Sequence, residues 1–311
     1  MIGFEVETLI AILLGVARGA TPLVFAAIGE LITEKSGVLN LGVEGMMLVG
    51  AVSGFITVVV TGSPVLGFFA AMLAGALLSS LFAVLVLFLH TNQVASGLSL
   101  TIFGIGLSAF FGLGYIGTPI KGLQAIHIPG LSEIAIIGPL VFGHDIMVYL
   151  AFVLVAATAW FLGKSRWGMI LRAVGESHHA AHAIGYPVVA IRFAAILFGG
   201  AMCGLAGAYI SLIYTPMWAE NMTAGRGWIA LALVVFATWK PGRALIGAYL
   251  FGGVTILQLN VQSLGVDVSA HLMNMLPYIA TILVLVLISR DETKIRLNAP
   301  ACLGKPFRAD G

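Results

Sequence analysis

Residues Val65–Leu89 read VLGFFAAMLAGALLSSLFAVLVLFL, a run that contains no Asp, Glu, Lys, Arg or His. A helix needs about 20 mostly apolar residues, each rising about 1.5 Å, to cross about 30 Å of hydrocarbon. This run has that length and no polar face to offer water, so it predicts a membrane-spanning helix. Outward from it, the same rule finds spans near Leu9 to Leu31, Gly37 to Val60, Val94 to Tyr115, Ile134 to Leu162, Ile191 to Tyr214, Thr223 to Trp239, Ala244 to Asn260 and Leu272 to Ser289. The pattern predicts an all-α membrane protein, a polytopic helix bundle of about nine transmembrane helices. Eight or ten remain open, because the fifth run is broken by Gly138-Pro139 and His144-Asp145 and the seventh is short.

Composition agrees. Of 311 residues, 60% are apolar and 9% charged, and the mean hydropathy is +1.07, whereas soluble domains carry about 25% charged residues. The net charge of +2 excludes a nucleic-acid partner. Membrane lipid is the surrounding medium. Cys203 and Cys302 lie in different kinds of segment and build neither a disulfide framework nor a cysteine-rich metal site. Glu5 and Glu7 precede the first apolar run, which therefore does not read as a cleaved signal peptide.

An odd number of spans puts the termini on opposite sides, and basic residues collect in the cytoplasm. With the C-terminus cytoplasmic, Lys35, Lys164, Arg166, Arg172, Arg192, Lys240, Arg243, Arg290, Lys294, Arg296, Lys305 and Arg308 face inward, twelve of the fifteen cations. Lys121 and Arg226 remain outside and Arg18 lies within a span. The N-terminus is accordingly expected outside. Trp160, Trp167, Trp218, Trp228 and Trp239 fall at or near span ends, where indoles favour the headgroup boundary. Gly15/Gly19 and Gly200/Gly204 have the spacing that lets helix backbones approach in lipid.

Two motifs match by spacing and fail by context. Gly112-Leu-Gly-Tyr-Ile-Gly117 resembles a dinucleotide fingerprint, but no strand precedes it and it ends an apolar run. Gly163-Lys-Ser165 resembles the end of a phosphate-binding loop, yet Thr158 stands where the leading glycine is needed. His178 and His182, with His179 beside them, have the spacing of two ligands on one helix face. Glu176 is the only nearby acid, so an exposed helix face outweighs a metal site, and no metal is expected. No nucleophile and base combine into a catalytic set, and an enzyme is not expected.

The long inside loop, about 163–190, carries Ser177 as a cap for a short helix from His178 to Ile184, ended by Gly185 and Pro187. A compact helix projecting into the cytoplasm suits docking onto a partner; a plain structured loop is the alternative.

This loop resembles the coupling-helix region of permease subunits of ATP-driven importers, through Arg172, Ala173, Gly175, Glu176, Ala180, Ala181, Ala183 and Gly185. Ala20-Thr-Pro22, Gly29-Glu30, Glu34-Lys-Ser-Gly-Val-Leu-Asn-Leu-Gly-Val-Glu-Gly45, Asn92-Gln93 with Ser96-Gly97, and Trp218 through Ala232 narrow it. They are similar to the nucleoside and simple-sugar branch of the branched-chain amino acid/ribose permease family. The resemblance implies a multi-pass permease subunit in a bacterial plasma (inner) membrane, with residues 1–289 as the transmembrane permease domain and 290–311 as a cytoplasmic tail.

It implies three partners: a cytoplasmic ABC ATPase, a second homologous permease subunit, and an extracytoplasmic substrate-binding protein or lipoprotein. It implies no cofactor in this chain, ATP and Mg being used by the ATPase. Coupling to that ATPase falls to Arg172, Gly175, Glu176, Ser177, His178, Ala180, Ala181 and Gly185. His178-His179 depart from the family's usual Pro or acidic residue there.

Polar residues at membrane depth carry function or structure by default, because a charge in lipid costs several kcal/mol. Glu44 lies about 12 Å into the second predicted span, with Asn40 one turn before it on the same face. Arg18 in the first span is its expected partner, in a structural ion pair or along the substrate path. Asn92 and Gln93 open the fourth span as a helix cap or an inner gate. Trp218, Glu220, Asn221 and Arg226, with Thr223, are expected in an outer loop, facing the binding protein or ordering the loop among themselves. A hydroxyl-rich neutral solute fits such groups. The competing class is an ion-coupled secondary transporter using Glu44; the absence of an internal repeat and the projecting helix argue against it. A channel would need a ring of repeated polar residues, which the sequence lacks.

Overall fold

The computed structural model describes residues 2–123, 137–263 and 298–308, with positions 125, 129, 134, 275, 276, 279, 282 and 286 besides. Among the described residues the chain is helical, apart from loops and two isolated bridges, Ile116 with Trp218 and Pro119 with Met217. Six helical stretches are long and apolar enough to cross a membrane: Glu7–Lys35, Val43–Thr61, Pro64–Phe88, Gln93–Tyr115, Ile146–Lys164 and Val188–Tyr214. They belong in turn to α1 (Ile2–Lys35), α2 (Val43–Thr61), α3 (Pro64–Ala83), α4 (Gln93–Gly112), α6 (Ile146–Lys164) and α9 (Val188–Tyr209). A π turn at Val84–Phe88 extends α3, another at Ile210–Tyr214 extends α9, and a 3-10 turn at Leu113–Tyr115 extends α4.

The short helices are α5 (Ile137–Phe142), α7 (Arg166–Glu176), α8 (His178–Ala183) and α10 (Arg226–Phe236), and α11 (Pro241–Ser263) completes the set. The predicted span at Leu272 to Ser289 lies, apart from isolated positions, outside the described residues.

Small residues decide the packing. Lipid gives helices no hydrophobic reason to associate, so close backbone approach has to supply dispersion instead. Gly204 on α9 lies so near α3 that a Cβ there would stand 2.1 Å from the Ala71 carbonyl oxygen. Gly50 on α2 presses on the same Gly204, so α2, α3 and α9 meet at one glycine-lined crossing. Gly15 and Gly19 do the lesser version of this against Gly252 and Ile256 of α11. Both glycine pairs read from sequence are thus helix contacts. The Gly112–Gly117 motif is a helix exit, with the α4 end at Gly112 and a left-handed turn at Gly117 (φ 78°).

Three predicted spans differ from the helices observed. The second begins at Val43, not Gly37: residues 37–42 are non-helical and run back into the bundle, where Leu39 N–H donates to Gln93 Oε1 (2.9 Å) and Thr101 Oγ1 donates to the Leu41 carbonyl (2.9 Å). The fifth is split at His144-Asp145, where Asp145 caps α6 by accepting from Met147 and Val148 N–H. The seventh shrinks to α10, eleven residues or about 16 Å at 1.5 Å each, too short to cross. The break at His144-Asp145 and the short seventh run agree with what the sequence shows, whereas the break at 37–42 has no counterpart in the hydropathy pattern.

Candidate functional site

Asp145 closes the break before α6, and three buried glutamates hold the other two, at 37–42 and around α10. Glu44, in the first turn of α2, accepts from Thr223 Oγ1 (2.6 Å) and Gly225 N–H (2.8 Å) on Oε1 and from Gly227 N–H (2.6 Å) on Oε2. Those donors lie in the turn before α10 and in its first turn. A helix start leaves unpaired N–H groups and the positive end of its macrodipole, which a carboxylate satisfies. Here the capping acid comes from another helix, because Gly225, held left-handed (φ 81°), brings no side chain of its own.

Glu30 and Glu34 stand one turn apart on α1, both buried. Glu30 Oε1 accepts the Asn40 N–H (3.1 Å), fixing the re-entrant segment 37–42. Glu34 Oε2 accepts the Trp239 indole N–H (2.5 Å) at the junction of α10 and α11, where Thr238 and Trp239 are both left-handed. The side chain of Asn40 closes its own turn, Oδ1 accepting the Gly42 N–H (2.9 Å).

Several sequence expectations are corrected by this geometry. Glu44 is not paired with Arg18, which is exposed on α1; the Glu44 oxygens are taken by α10 and its preceding turn. Trp218 and Trp239 are buried and do not face a headgroup boundary, whereas Trp160, Trp167 and Trp228 are exposed. Trp218 stacks against Gly112, where a Cβ would collide with its indole nitrogen. Of the expected outer-loop residues, Glu220 and Asn221 are exposed, while Thr223 is turned inward to Glu44. Arg226 orders the loop, donating to the Met222 carbonyl (3.2 Å) and lying over the Tyr214 ring at 5.2 Å. Asn92 caps α4 by accepting from Ala95 N–H (3.0 Å), and Gln93 is buried against segment 37–42.

At the opposite end of α10 from Glu44, the loop 163–190 holds two helices where one was expected. Ser165 caps α7 through Gly168 N–H (2.9 Å), and Ser177 caps α8 through Ala180 N–H (3.3 Å). Gly175 lets α7 press on the end of α1; a Cβ there would stand 2.2 Å from the Lys35 carbonyl oxygen. Arg172, Glu176, Ala180, His179 and His182 are exposed, and Gly185 closes α8 in a left-handed turn (φ 90°).

His178 and Ala181 are buried, contrary to the exposed face expected of His178. Burial first, then the charges of Arg192, His179 and Lys305, push the His178 imidazole down to about 4. The neutral ring accepts from Arg192 Nη2 through Nδ1 (3.0 Å). Among the described residues no group of three His, Cys, Asp or Glu could hold a metal ion.

Arg192, counted from sequence only as an inside cation, joins three parts of the chain. From α9 it also donates to the Ser36 carbonyl (3.0 Å), just past α1, and to the Lys305 carbonyl (3.2 Å) in the C-terminal piece. That piece is bound further by Cys302 N–H to the Gly175 carbonyl (2.9 Å), Gly304 N–H to the Gly37 carbonyl (3.2 Å) and Lys35 Nζ to the Asn298 carbonyl (2.6 Å). Phe307 packs its ring against His178, His179 and His182.

Helices interrupted inside an apolar bundle, with acids closing the interruptions, define a multi-pass membrane transport protein. Over residues 12–286 the chain matches, and belongs to, the family described as branched-chain amino acid transport system / permease component. It is a transport component, not an enzyme.

The chain is 40% identical to the putative glucose ABC transporter permease protein TsgC13 of Haloferax volcanii, over 94% of this chain and 96% of that one. It is 33% identical to the nucleoside ABC transporter permease protein NupC of Lactococcus lactis, over 91% and 93%. It is 30% identical to the guanosine ABC transporter permease protein NupQ of Bacillus subtilis, over 93% of each. No solved structure matches the chain at a significant level. Neither the family nor these relatives support the ion-coupled alternative, and Glu44 is engaged as a helix cap.

Proposed function

We propose that this chain is one of two permease subunits enclosing the path of an ABC importer, and that its cargo is a neutral sugar-bearing solute, a nucleoside or a simple sugar. The observation that carries the cargo class is the capping of α10 by Glu44. A half-helix starting inside a bundle normally offers its positive end to an anionic solute. Here a resident carboxylate occupies that end, so an acidic cargo finds no free positive terminus at α10. The buried polar groups Asn40, Gln93, Thr101 and Thr223 are neutral as well, each bonded within the chain, and add no charge that would draw an acidic cargo. The names of the relatives, glucose, nucleoside and guanosine permeases, agree with such a cargo.

With the loop 215–225 and the half-helix α10 counted together as one broken crossing, the chain crosses the plasma (inner) membrane of a bacterium nine times, with the N-terminus outside, residues 1–289 as the permease domain and 290–311 as a cytoplasmic tail. The charge bias supports this orientation, as does the gathering of Lys35, Arg172, Glu176 and Lys240 near one another at the α7 end. The ATPase, which binds ATP and Mg, engages α8 and its flanks, Arg172 to Gly185. The second permease covers apolar flank in the membrane, and an extracytoplasmic binding protein or lipoprotein docks on the side of Trp218, Glu220, Asn221 and Arg226. Arg18, Asn40, Glu44, Asn92 and Gln93 line or support the path.

The test is reconstitution into liposomes with the second permease, the ATPase and the binding protein, with radiolabelled guanosine, adenosine and glucose as cargo. ATP-dependent uptake of one of these by the full set, and none by this chain alone, is expected. Uptake by the chain alone would overturn the division of labour, and uptake confined to an anionic solute would overturn the cargo class.

A further inference from the structure

We propose that the docking surface for the ATPase is a composite of α8 and the C-terminal piece 298–308, which Arg192 and Phe307 clamp together, and that it fits a partner presenting an apolar pocket rimmed by carboxylates. This rests on the proposed reading of α8 as the coupling helix and adds a second chain segment to it.

Helix α8 has six residues, with His178 and Ala181 turned inward. That leaves His179, Ala180, His182 and Ala183 exposed, followed by Ile184, 72% exposed. One and a half turns give little area to transmit force. The C-terminal piece enlarges it. Phe307 is buried with Val174, Ala181 and Val188 and fixes the piece against the inner face of α8. Its neighbours Lys305, Pro306 and Arg308 remain exposed beside the exposed histidines. The outer surface therefore combines the exposed Ile184 that ends α8 with two exposed cations, Lys305 and Arg308, on either side of the Phe307 that packs on the α8 histidines, and α7 adds the exposed Arg172 and Glu176. Cations around an apolar knob select a partner with acids around an apolar pocket, since complementary potential at an interface favours encounter and register.

The clamp also gives the surface its mechanical use. Arg192 touches α8 through His178, the C-terminal piece through Lys305 and the end of α1 through Ser36. Ser36 and Gly37 lead directly into the re-entrant segment 37–42. Displacement of the composite surface thus reaches that segment through bonded contacts and does not need to bend a whole transmembrane helix.

Lys305 bonds Arg192 through its carbonyl, which a side-chain substitution keeps. The docking role and the clamping role are therefore separable. In the assembled transporter, a photo-crosslinking amino acid at Ile184 tests the coupling-helix reading and one at Arg308 tests the composite surface, with Trp160 as a lipid-facing control. Crosslinks from both 184 and 308 to the ATPase are expected, with none from 160. Crosslinks from 184 alone would overturn the composite surface and leave the coupling-helix reading standing; none from either would overturn both. The double variant Lys305→Glu, Arg308→Glu is expected to lower ATPase affinity about tenfold, more at low salt than at high. Unchanged affinity would show that the C-terminal piece only props α8, against the inference.

Discussion

Replacing Glu44 by Gln isolates the cap on α10. The carboxylate takes Thr223 Oγ1 and Gly225 N–H on one oxygen and Gly227 N–H on the other. Gln keeps an oxygen for the first two and turns an NH2 group toward the third, so one charge-assisted bond is lost outright. Such a bond is worth about 1.5–3 kcal/mol, and loss of the charge at the helix start removes about 0.3–2 kcal/mol more. The sum is about 2–5 kcal/mol. At 1.4 kcal/mol per tenfold, the opened first turn of α10 becomes about 30-fold to a few thousandfold more populated.

The assay is hydrogen exchange at the Gly225 and Gly227 amides of the protein in lipid nanodiscs, with the α2–α3–α9 crossing as internal control. Faster exchange confined to the α10 start is expected. Unchanged protection there would refute the cap, and so would an equal loss of protection in Arg18→Met, since Arg18 is no partner of Glu44 here. For the same reason the exchange of charges, Glu44→Arg with Arg18→Glu, is expected not to rescue: Arg at 44 would face three donors with more donors.

Other substitutions follow from the same contacts. Trp239→Phe keeps one aromatic ring but removes the pyrrole edge and its N–H, leaving Glu34 Oε2 without its donor, and should cost about 1.5–3 kcal/mol for the bond plus the packing of the lost edge, read as a lower thermal midpoint; an unchanged midpoint would count against this bond. Gly175→Val places a side chain where a Cβ already stands 2.2 Å from the Lys35 carbonyl oxygen, so α7 must lift from α1. The protein should insert, the assembled transporter should hydrolyse ATP, and uptake should fail; normal uptake would sink the coupling assignment. His178 has its imidazole pushed down to about 4, from an ordinary value of about 6.5, with Arg192, Lys305, His179 and Phe307 around it. When the C-terminal piece detaches, Phe307 and Lys305 leave the imidazole while Arg192 and His179 stay, so it takes up a proton more readily than in the clamped state but less readily than a free imidazole. The clamp is therefore fully present at neutral pH and weakens as pH falls toward 4. A fluorophore on Arg308→Cys should gain mobility over that window, and His178→Asn, which keeps an acceptor for Arg192 and cannot titrate, should flatten the change.

Much of the bundle was legible because lipid imposes one rule on every residue of a span. The edges of α3, α4 and α9 fall within a few residues of the runs read from hydropathy, and Asn92 and Ser177 announce their helices because a short polar side chain before an apolar or alanine-rich run has few other uses. The break at His144-Asp145 and the shortness of the seventh run were legible too, but the break at 37–42 was not. Residues 37–42 are as apolar as a span, and nothing local says that Leu39 N–H will bond Gln93 instead of continuing a helix. Glu44 stood out as a buried acid, but its partners lie about 180 residues on, in a turn whose left-handed Asn221, Ala224 and Gly225 give only a weak local signal. Arg18 looked like the partner because charge was the only criterion available. Helix α7 was missed because Gly168 and Gly175 depress its propensity, while their function, close packing against Phe161 and Lys35, depends on tertiary neighbours.

The three glutamates differ in how much of each carboxylate is used, which makes their substitutions unequal. Burying a carboxylate is expensive, and it persists where its bonds offset the cost. A break in a membrane helix supplies such bonds, since its backbone N–H groups find no water and must be met by protein. Glu44 meets three donors with both oxygens. Glu30 meets only the Asn40 N–H with Oε1, and its Oε2 is buried with no hydrogen-bond partner among the described residues. Glu30→Gln retains the oxygen that Asn40 needs and exchanges an unused oxygen for an unused amide, so its stability should stay within about 1 kcal/mol of the parent. Glu30→Ala removes the acceptor from the Asn40 N–H and should loosen segment 37–42, read as faster exchange at Leu39 and Asn40. If Glu30→Gln destabilises as strongly as Glu44→Gln, the unpartnered Oε2 carries a bond after all, and Glu30 acts on more than the Asn40 N–H.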